Sequence, residues 1–76
     1  MAREQRIEIL AEMVANVLVV DVAVGDIVDI GDTVVLLESM KMEIPVMAEV
    51  AGTVTGVRVA AGDVVQEGDP LVELTS

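Results

Sequence analysis

The sequence predicts an all-β fold: a small sandwich or flattened barrel of four short strands per half, arranged about an approximate two-fold axis. Three observations carry that expectation. Shifted by 37 positions, residues 5–39 fall on residues 42–76 without a gap, leaving only Met40 and Lys41 between the copies. Valine supplies 17 of the 76 residues while Phe, Tyr and Trp are absent, a β-branched bias that suits strands. Finally, each copy is punctuated by Gly-Asp pairs six residues apart. Two copies are too few for a solenoid, which needs three or more repeats to bury a core. Residues 1–76 therefore read as one small domain of two related halves, repeat 5–39 and repeat 42–76, with Met40-Lys41 as the joining turn.

The first element of each half is the alternating segment at residues 6–11 and its partner at 43–48. Ile7/Ile44, Ile9/Val46 and Ala11/Ala48 recur every second residue, the signature of a strand with one buried face. Pro45 lacks a ladder donor, which assigns its strand to an edge or turns that position away from a neighbour. The second element is expected over residues 15–22 and 52–59. Val57 and Val59 flank Arg58, whereas Val54 lies between Thr53 and Thr55, so the inward phase slips by one near Gly56 and a β-bulge is expected there. Val17, Val20 and Val22 repeat the slip in the first copy.

The third element is the punctuated segment from Gly25 to Asp32 and from Gly62 to Asp69. Glycine supplies positive φ and aspartate bonds nearby backbone, so each segment reads as turn, very short strand, turn. Residues 33–39 and 70–76 close the halves, with Val35/Val72 and Leu37/Leu74 on one face and Leu36/Glu73 on the other. Because Ser39 corresponds to Ser76 and Met42 to Gln5, the two-fold carries the Met40-Lys41 turn onto the place where the chain ends meet. Lys41 and the termini are expected at opposite poles.

Charge and composition narrow the function. Fourteen acidic residues stand against Arg3, Arg6, Lys41 and Arg58, for a net charge of −10, so neither nucleic acid nor an anionic membrane surface is an expected partner. Most of that charge is read as solubility for a valine-rich domain. With no Cys and no His, disulfides and the usual zinc ligands are excluded. No apolar run approaches the roughly 18 residues of a membrane span, and Met1 to Arg6 lack the apolar core of a secretory signal. The cytoplasm is the expected location, and the leading Met1 and short extension favour a free-standing chain.

The Gly-Asp segments do not read as phosphate cradles, because a carboxylate follows each glycine and no helix N-terminus is indicated. Asp26, Asp29 and Asp32 lack the ligand spacing of a calcium loop. Without His or Cys, Ser39, Thr53 and Thr55 have no ordinary general base, and Glu38 and Glu43 lie on a hairpin expected to be well solvated. No catalytic residue is assigned, and the chain is expected to be a non-catalytic module.

Lys41 is different. It is the only lysine, and it sits at the junction of the repeat. A two-residue hairpin turn favours Asn-Gly or Gly-containing pairs because its central residues take positive φ. Met-Lys breaks that local rule, and such breaks concentrate where function is served. Met40 and Met42 add flexible apolar side chains on either side, on which a partner can pack.

The run Glu38-Ser39-Met40-Lys41-Met42-Glu43, with Gly-Asp-x-Val-x-x-Gly-Asp before and after it, resembles the biotinyl (biotin carboxyl carrier) domain family from about Arg6 to Thr75. The resemblance implies a flattened eight-stranded barrel of two antiparallel sheets, a barrel-sandwich hybrid, with Lys41 at the tip between the fourth and fifth strands. It implies covalent biotin on Lys41, attached by a biotin–protein ligase, with Met40 and Met42 defining the acceptor site and Glu38 and Ser39 belonging to the motif. An exposed alkylamine is mostly protonated near neutral pH, so the ligase must bring an activated biotinyl-adenylate. The implied role is a swinging arm that takes CO2 from a biotin carboxylase to a carboxyltransferase, with tethering raising the cofactor's effective concentration at both sites. A monomer is expected.

Two departures from the family pattern stand out. The ungapped repeat leaves no room for the extra thumb loop of some members, and Asn16 stands where many have glycine. A lipoyl carrier of the same fold is the first alternative, disfavoured because that family has Asp before the lysine and Ala after it. An unmodified acidic interaction domain is the second.

Overall fold

A computed structural model describes residues 5–76. The N-terminal segment read above as lacking a signal sequence lies, for residues 1–4, outside the described residues. Eight strands follow in order: β1 (Arg6–Leu10), β2 (Ala15–Val20), β3 (Ile27–Val28), β4 (Thr33–Ser39), β5 (Met42–Met47), β6 (Gly52–Val57), β7 (Val64–Val65) and β8 (Pro70–Thr75). They form two four-stranded sheets, β1-β8-β6-β3 and β5-β4-β2-β7, antiparallel at every pairing. The fold is therefore all-β with two stacked sheets, as expected of a barrel-sandwich hybrid. Among the described residues no helix is long and apolar enough to cross a membrane.

The two sheets carry one register twice. Arg6 faces Thr75 where Glu43 faces Glu38, Ile7 faces Leu74 where Ile44 faces Leu37, and Val17 faces Leu37 where Val54 faces Leu74. Pro45 lies on β5, an edge strand, so the ladder loses nothing by its missing N–H. The expected second elements end sooner than the apolar pattern suggested, at Val20 and Val57.

Bulges explain the phase slips. Register shifts between Val17 and Val19, and between Val54 and Gly56, leave Leu18 and Thr55 as extra residues, the latter just before the glycine at which the slip was expected. A second pair of shifts leaves Val34 and Leu71 as extra residues in β4 and β8. Each turns inward, so Val34 and Val35 are both fully buried, as are Leu71 and Val72. The carbonyl that each bulge frees accepts a hydrogen bond, Val34 from the Asp21 N–H at 2.9 Å and Leu71 from the Arg58 N–H at 2.9 Å. The backbone is thus satisfied while the core gains two side chains.

The core is a duplicated aliphatic set between the sheets: Ala11/Ala48, Val17/Val54, Val28/Val65, Val34/Leu71, Val35/Val72 and Leu37/Leu74, with no buried polar side chain among the described residues. One position breaks the match. Ala15 is buried, but its counterpart is Gly52, where a Cβ would stand 2.9 Å from the Thr75 carbonyl oxygen.

The punctuated segments fold as expected. Gly25 and Gly62 take φ of 99° and 96°, and the Asp26 and Asp63 carboxylates accept hydrogen bonds from the Ala23 and Ala60 N–H groups, both at 2.9 Å. Asp32 and Asp69 do the same for the N–H groups of Asp29 and Gln66. Residues 21–26 alone join β2 to β3, as residues 58–63 join β6 to β7, so the first half carries no inserted loop.

Candidate functional site

Strands β4 and β5 pair from Thr33 and Met47 to Ser39 and Met42, so Met40 and Lys41 alone make the turn. Both lie at positive φ, 52° and 65°, as the central residues of a type I′ hairpin turn must. They are the only non-glycine residues at positive φ among the described residues. The cost of holding side-chain-bearing residues there is about 1 kcal/mol or more each. The flanking ladder enforces it, since Leu37 is buried and the strands run in register up to Ser39.

The turn and the first residue of β5 project three side chains into solvent. Met40 is 92% exposed, Met42 is 66% exposed, and Lys41 is exposed between them. Among the described residues the one ion pair is Arg58 with Glu73 at 3.5 Å, so no carboxylate there holds the Lys41 ammonium in place. Ser39 is half-buried at the base of the turn, and its hydroxyl donates to the Val14 carbonyl at 3.1 Å. That bond ties the β1–β2 connection to the foot of the hairpin.

Glu38 and Glu43 face each other across β4 and β5. Asn16 lies beside Glu38 and Val64 beside Asn16, so Glu43, Glu38, Asn16 and Val64 form one cross-strand row below the tip. Directly opposed like charges destabilise a sheet, which makes the pair a second local rule broken at this end. The structure thus brings Glu38, Ser39, Met40, Lys41 and Met42 together at one tip. It adds three neighbours that linear reading did not reach, Val14, Asn16 and Val64, of which Val14 is 63% and Val64 is 68% exposed. The pairing that brings Asn16 and Val64 there lies in β7, a two-residue strand whose partner only the fold reveals.

The register also locates the tip relative to the chain ends. β2 leaves Asn16 beside Glu38 and runs away from the tip, and the chain then reaches Ile27 opposite Thr53, which is itself paired with Thr75. At that far end the Ser76 N–H donates to the Gln5 carbonyl at 3.1 Å. Lys41 therefore lies at the pole opposite Gln5 and Ser76.

Such a site fits a covalently attached group and nothing that needs an enclosure. Among the described residues the Lys41 amine has no hydrogen-bond or ion-pair partner, and it belongs to a two-residue turn. An acyl group joined there would form an amide without displacing any packed atom.

Comparison with known proteins agrees with that chemistry. The family described as biotin-requiring enzyme matches residues 7–74. The biotinylated protein TB7.3 of Mycobacterium tuberculosis is 66% identical over 38 residues, covering 50% of this chain and 54% of that protein. Its homolog in Mycolicibacterium smegmatis is 67% identical over 38 residues with the same coverage. The chain spans about half the length of the curated relatives it matches. Among solved structures, a single-chain, multi-domain long-chain acyl-CoA carboxylase superposes with a TM-score of 0.87 at 33% identity, over 92% of this chain and 7% of that one. The urea carboxylase of Kluyveromyces lactis gives a TM-score of 0.86 at 30% identity, over 97% and 6%. Fold and family match converge: the chain belongs to the family described as biotin-requiring enzyme.

Proposed function

We propose that this domain is a biotin carboxyl carrier, acylated on the Nζ of Lys41 and acting without catalysis of its own. The observation that carries the reading is the Met40-Lys41 turn, two residues at positive φ with the amine exposed at the pole opposite the chain ends. Biotin held there supplies a carrier for CO2 between a biotin carboxylase and a carboxyltransferase, the partners that the likeness to carboxylase chains supports.

The chain's own residues have three tasks. Lys41 contributes a single flexible amine on a four-carbon stem, which arginine cannot replace as an acyl acceptor. Met40 and Met42 offer apolar surface to a biotin–protein ligase, and Glu38 and Ser39 complete the strand end on which that surface is presented. The barrel keeps the tip far from residues 5 and 76, so a linked domain at either end leaves the arm free to move between two active sites. We place the protein in the cytoplasm as a monomer in this role.

Mass spectrometry of the protein made with a biotin ligase tests the assignment. One biotinyl group on Lys41 is expected, and Lys41→Arg should abolish it while leaving the circular dichroism spectrum unchanged. A lipoyl group, no adduct, or streptavidin binding by the arginine variant would each overturn the assignment.

A further inference from the structure

We propose that Met40 and Met42 are sites of methionine sulfoxide formation, and that peroxide oxidation there blocks acylation of Lys41 without unfolding the barrel. The inference rests on the carrier reading, because it concerns how the same tip is recognised. Three observations carry it.

First, access is unequal. Met40 is 92% and Met42 is 66% exposed, against 50% for Met47 and 37% for Met13. Methionine oxidation follows access of the oxidant to sulfur, so the tip methionines react ahead of the other two among the described residues. Second, no methionine is buried among the described residues: the buried set is Ala, Val and Leu throughout. A polar oxygen added to Met40 or Met42 therefore enters no core packing, whereas the usual consequence of this lesion is a disrupted core. Third, both thioethers flank the acceptor amine, on a turn fixed by the Ser39–Met42 pairing and by positive φ at Met40 and Lys41. A partner that reaches the Lys41 amine must cover them.

The chemistry closes with a hydroperoxide as the sole co-reactant. The thioether lone pair attacks one peroxide oxygen, the O–O bond breaks, and an S–O bond forms. The departing oxygen takes the proton and leaves as water, or as an alcohol from an alkyl hydroperoxide. Sulfur loses two electrons and the peroxide gains them. The product side chain is polar and chiral in place of a flexible apolar one. A ligase surface shaped for a thioether would then bury a sulfinyl oxygen without a hydrogen-bond donor, which should slow acylation by about tenfold to a hundredfold.

The test uses the whole chain carrying Met13→Leu and Met47→Leu, which removes the two less exposed of the described methionines and leaves the tip intact, with Met1 the one further methionine, whose oxidation peptide mapping reads separately. Biotin uptake from purified ligase, biotin and ATP is followed by intact mass before peroxide treatment, after it, and after repair by the two methionine sulfoxide reductases. Peptide mapping locates the added oxygen, and amide NMR reports the fold. Expected are one oxygen on each of Met40 and Met42, an unchanged NMR spectrum away from the turn, biotinylation slowed about tenfold or more, and recovery on reductase treatment. Three results would overturn the proposal: oxidised protein acylated at the untreated rate, Met40 and Met42 resisting peroxide that oxidises a free methionine peptide, or loss of NMR dispersion on oxidation. No biotin uptake by the untreated protein would instead strike the carrier reading itself, and this proposal with it.

Discussion

The two poles of the barrel are built from corresponding residues and have diverged. At one, Ser39 and Met42 are joined by Met40-Lys41; at the other, their counterparts Ser76 and Gln5 are the described chain ends, held by a backbone hydrogen bond of 3.1 Å. Glu38 faces Glu43 at the first pole, and Thr75 faces Arg6 at the second. Between the poles the core pairs are the same or conservative, Leu37 with Leu74, Val35 with Val72, Val34 with Leu71. The difference teaches that the aliphatic scaffold is common to both poles and that the proposed acceptor lies where one pole departs from the other.

The most disruptive way to probe that equivalence is to empty the two copies of the same core site. Leu37 is 1% exposed and Leu74 is 0% exposed, each in a central strand of its sheet. Truncation to alanine at either should cost about 2–5 kcal/mol, a large share of the stability available to so small a domain. Urea unfolding midpoints of Leu37→Ala and Leu74→Ala should fall together. A much smaller loss at Leu74 would show that the pole of the chain ends is already loosened and that the scaffold is not equivalent.

A sharper contrast lies at Ala15 and Gly52. The methyl of Ala15 is part of the core, but the same methyl at Gly52 would press on the Thr75 carbonyl at 2.9 Å, a backbone atom that cannot rotate away. Gly52→Ala should therefore destabilise by about 1–3 kcal/mol, the usual range for overpacking. Unchanged stability would mean that β8 yields at its end.

The turn itself offers an effect of opposite sign. Asn and Gly are at ease at positive φ, so Met40→Asn with Lys41→Gly should stabilise the barrel by about 1 kcal/mol or more while eliminating biotin uptake. Higher stability with lost function is the expected mark of a strained functional turn. If the urea midpoint does not rise, the positive φ values carry no strain and the argument from the broken turn rule is lost.

Much of this was legible in the chain because the repeat doubled every signal. The alternation of Ile7, Ile9 and Ala11, the bulge near Gly56 and the edge position of Pro45 each follow from local rules that a second copy repeats or constrains. The inward turn of Val34 and Leu71 was not legible, since period-two reasoning puts Val34 on the face opposite Val35; only the cross-strand register exposes the extra residue. The tip was readable at Lys41 because the turn is local. Its neighbours Val14, Asn16 and Val64 arrive by pairings and a hydrogen bond that span long stretches of chain, so although Asn16 stood out against the family pattern, nothing in the linear sequence placed it or the two valines at the tip.

The smallest expected effect separates the two serines. Ser39 donates its hydroxyl to the Val14 carbonyl at 3.1 Å, while Ser76 makes no such side-chain bond among the described residues and is held by its backbone N–H to the Gln5 carbonyl. Ser39→Ala removes a solvent-exposed bond and leaves the Val14 carbonyl free to accept from water, so the loss belongs at the low end of the hydrogen-bond range, about 0.5 kcal/mol. Ser76→Ala removes no side-chain bond seen among the described residues and should leave stability unchanged. The ladder contact of Ser39 with Met42 is made by backbone and survives the substitution, so the turn should keep its shape. What changes is the tether on the β1–β2 connection: amide exchange at Val14 and Ala15 should accelerate in Ser39→Ala and not in Ser76→Ala. Equal exchange in the two variants would mean that the hydroxyl does not hold the connection against the foot of the lysine hairpin, and that Val14 reaches the tip by the run of the chain alone.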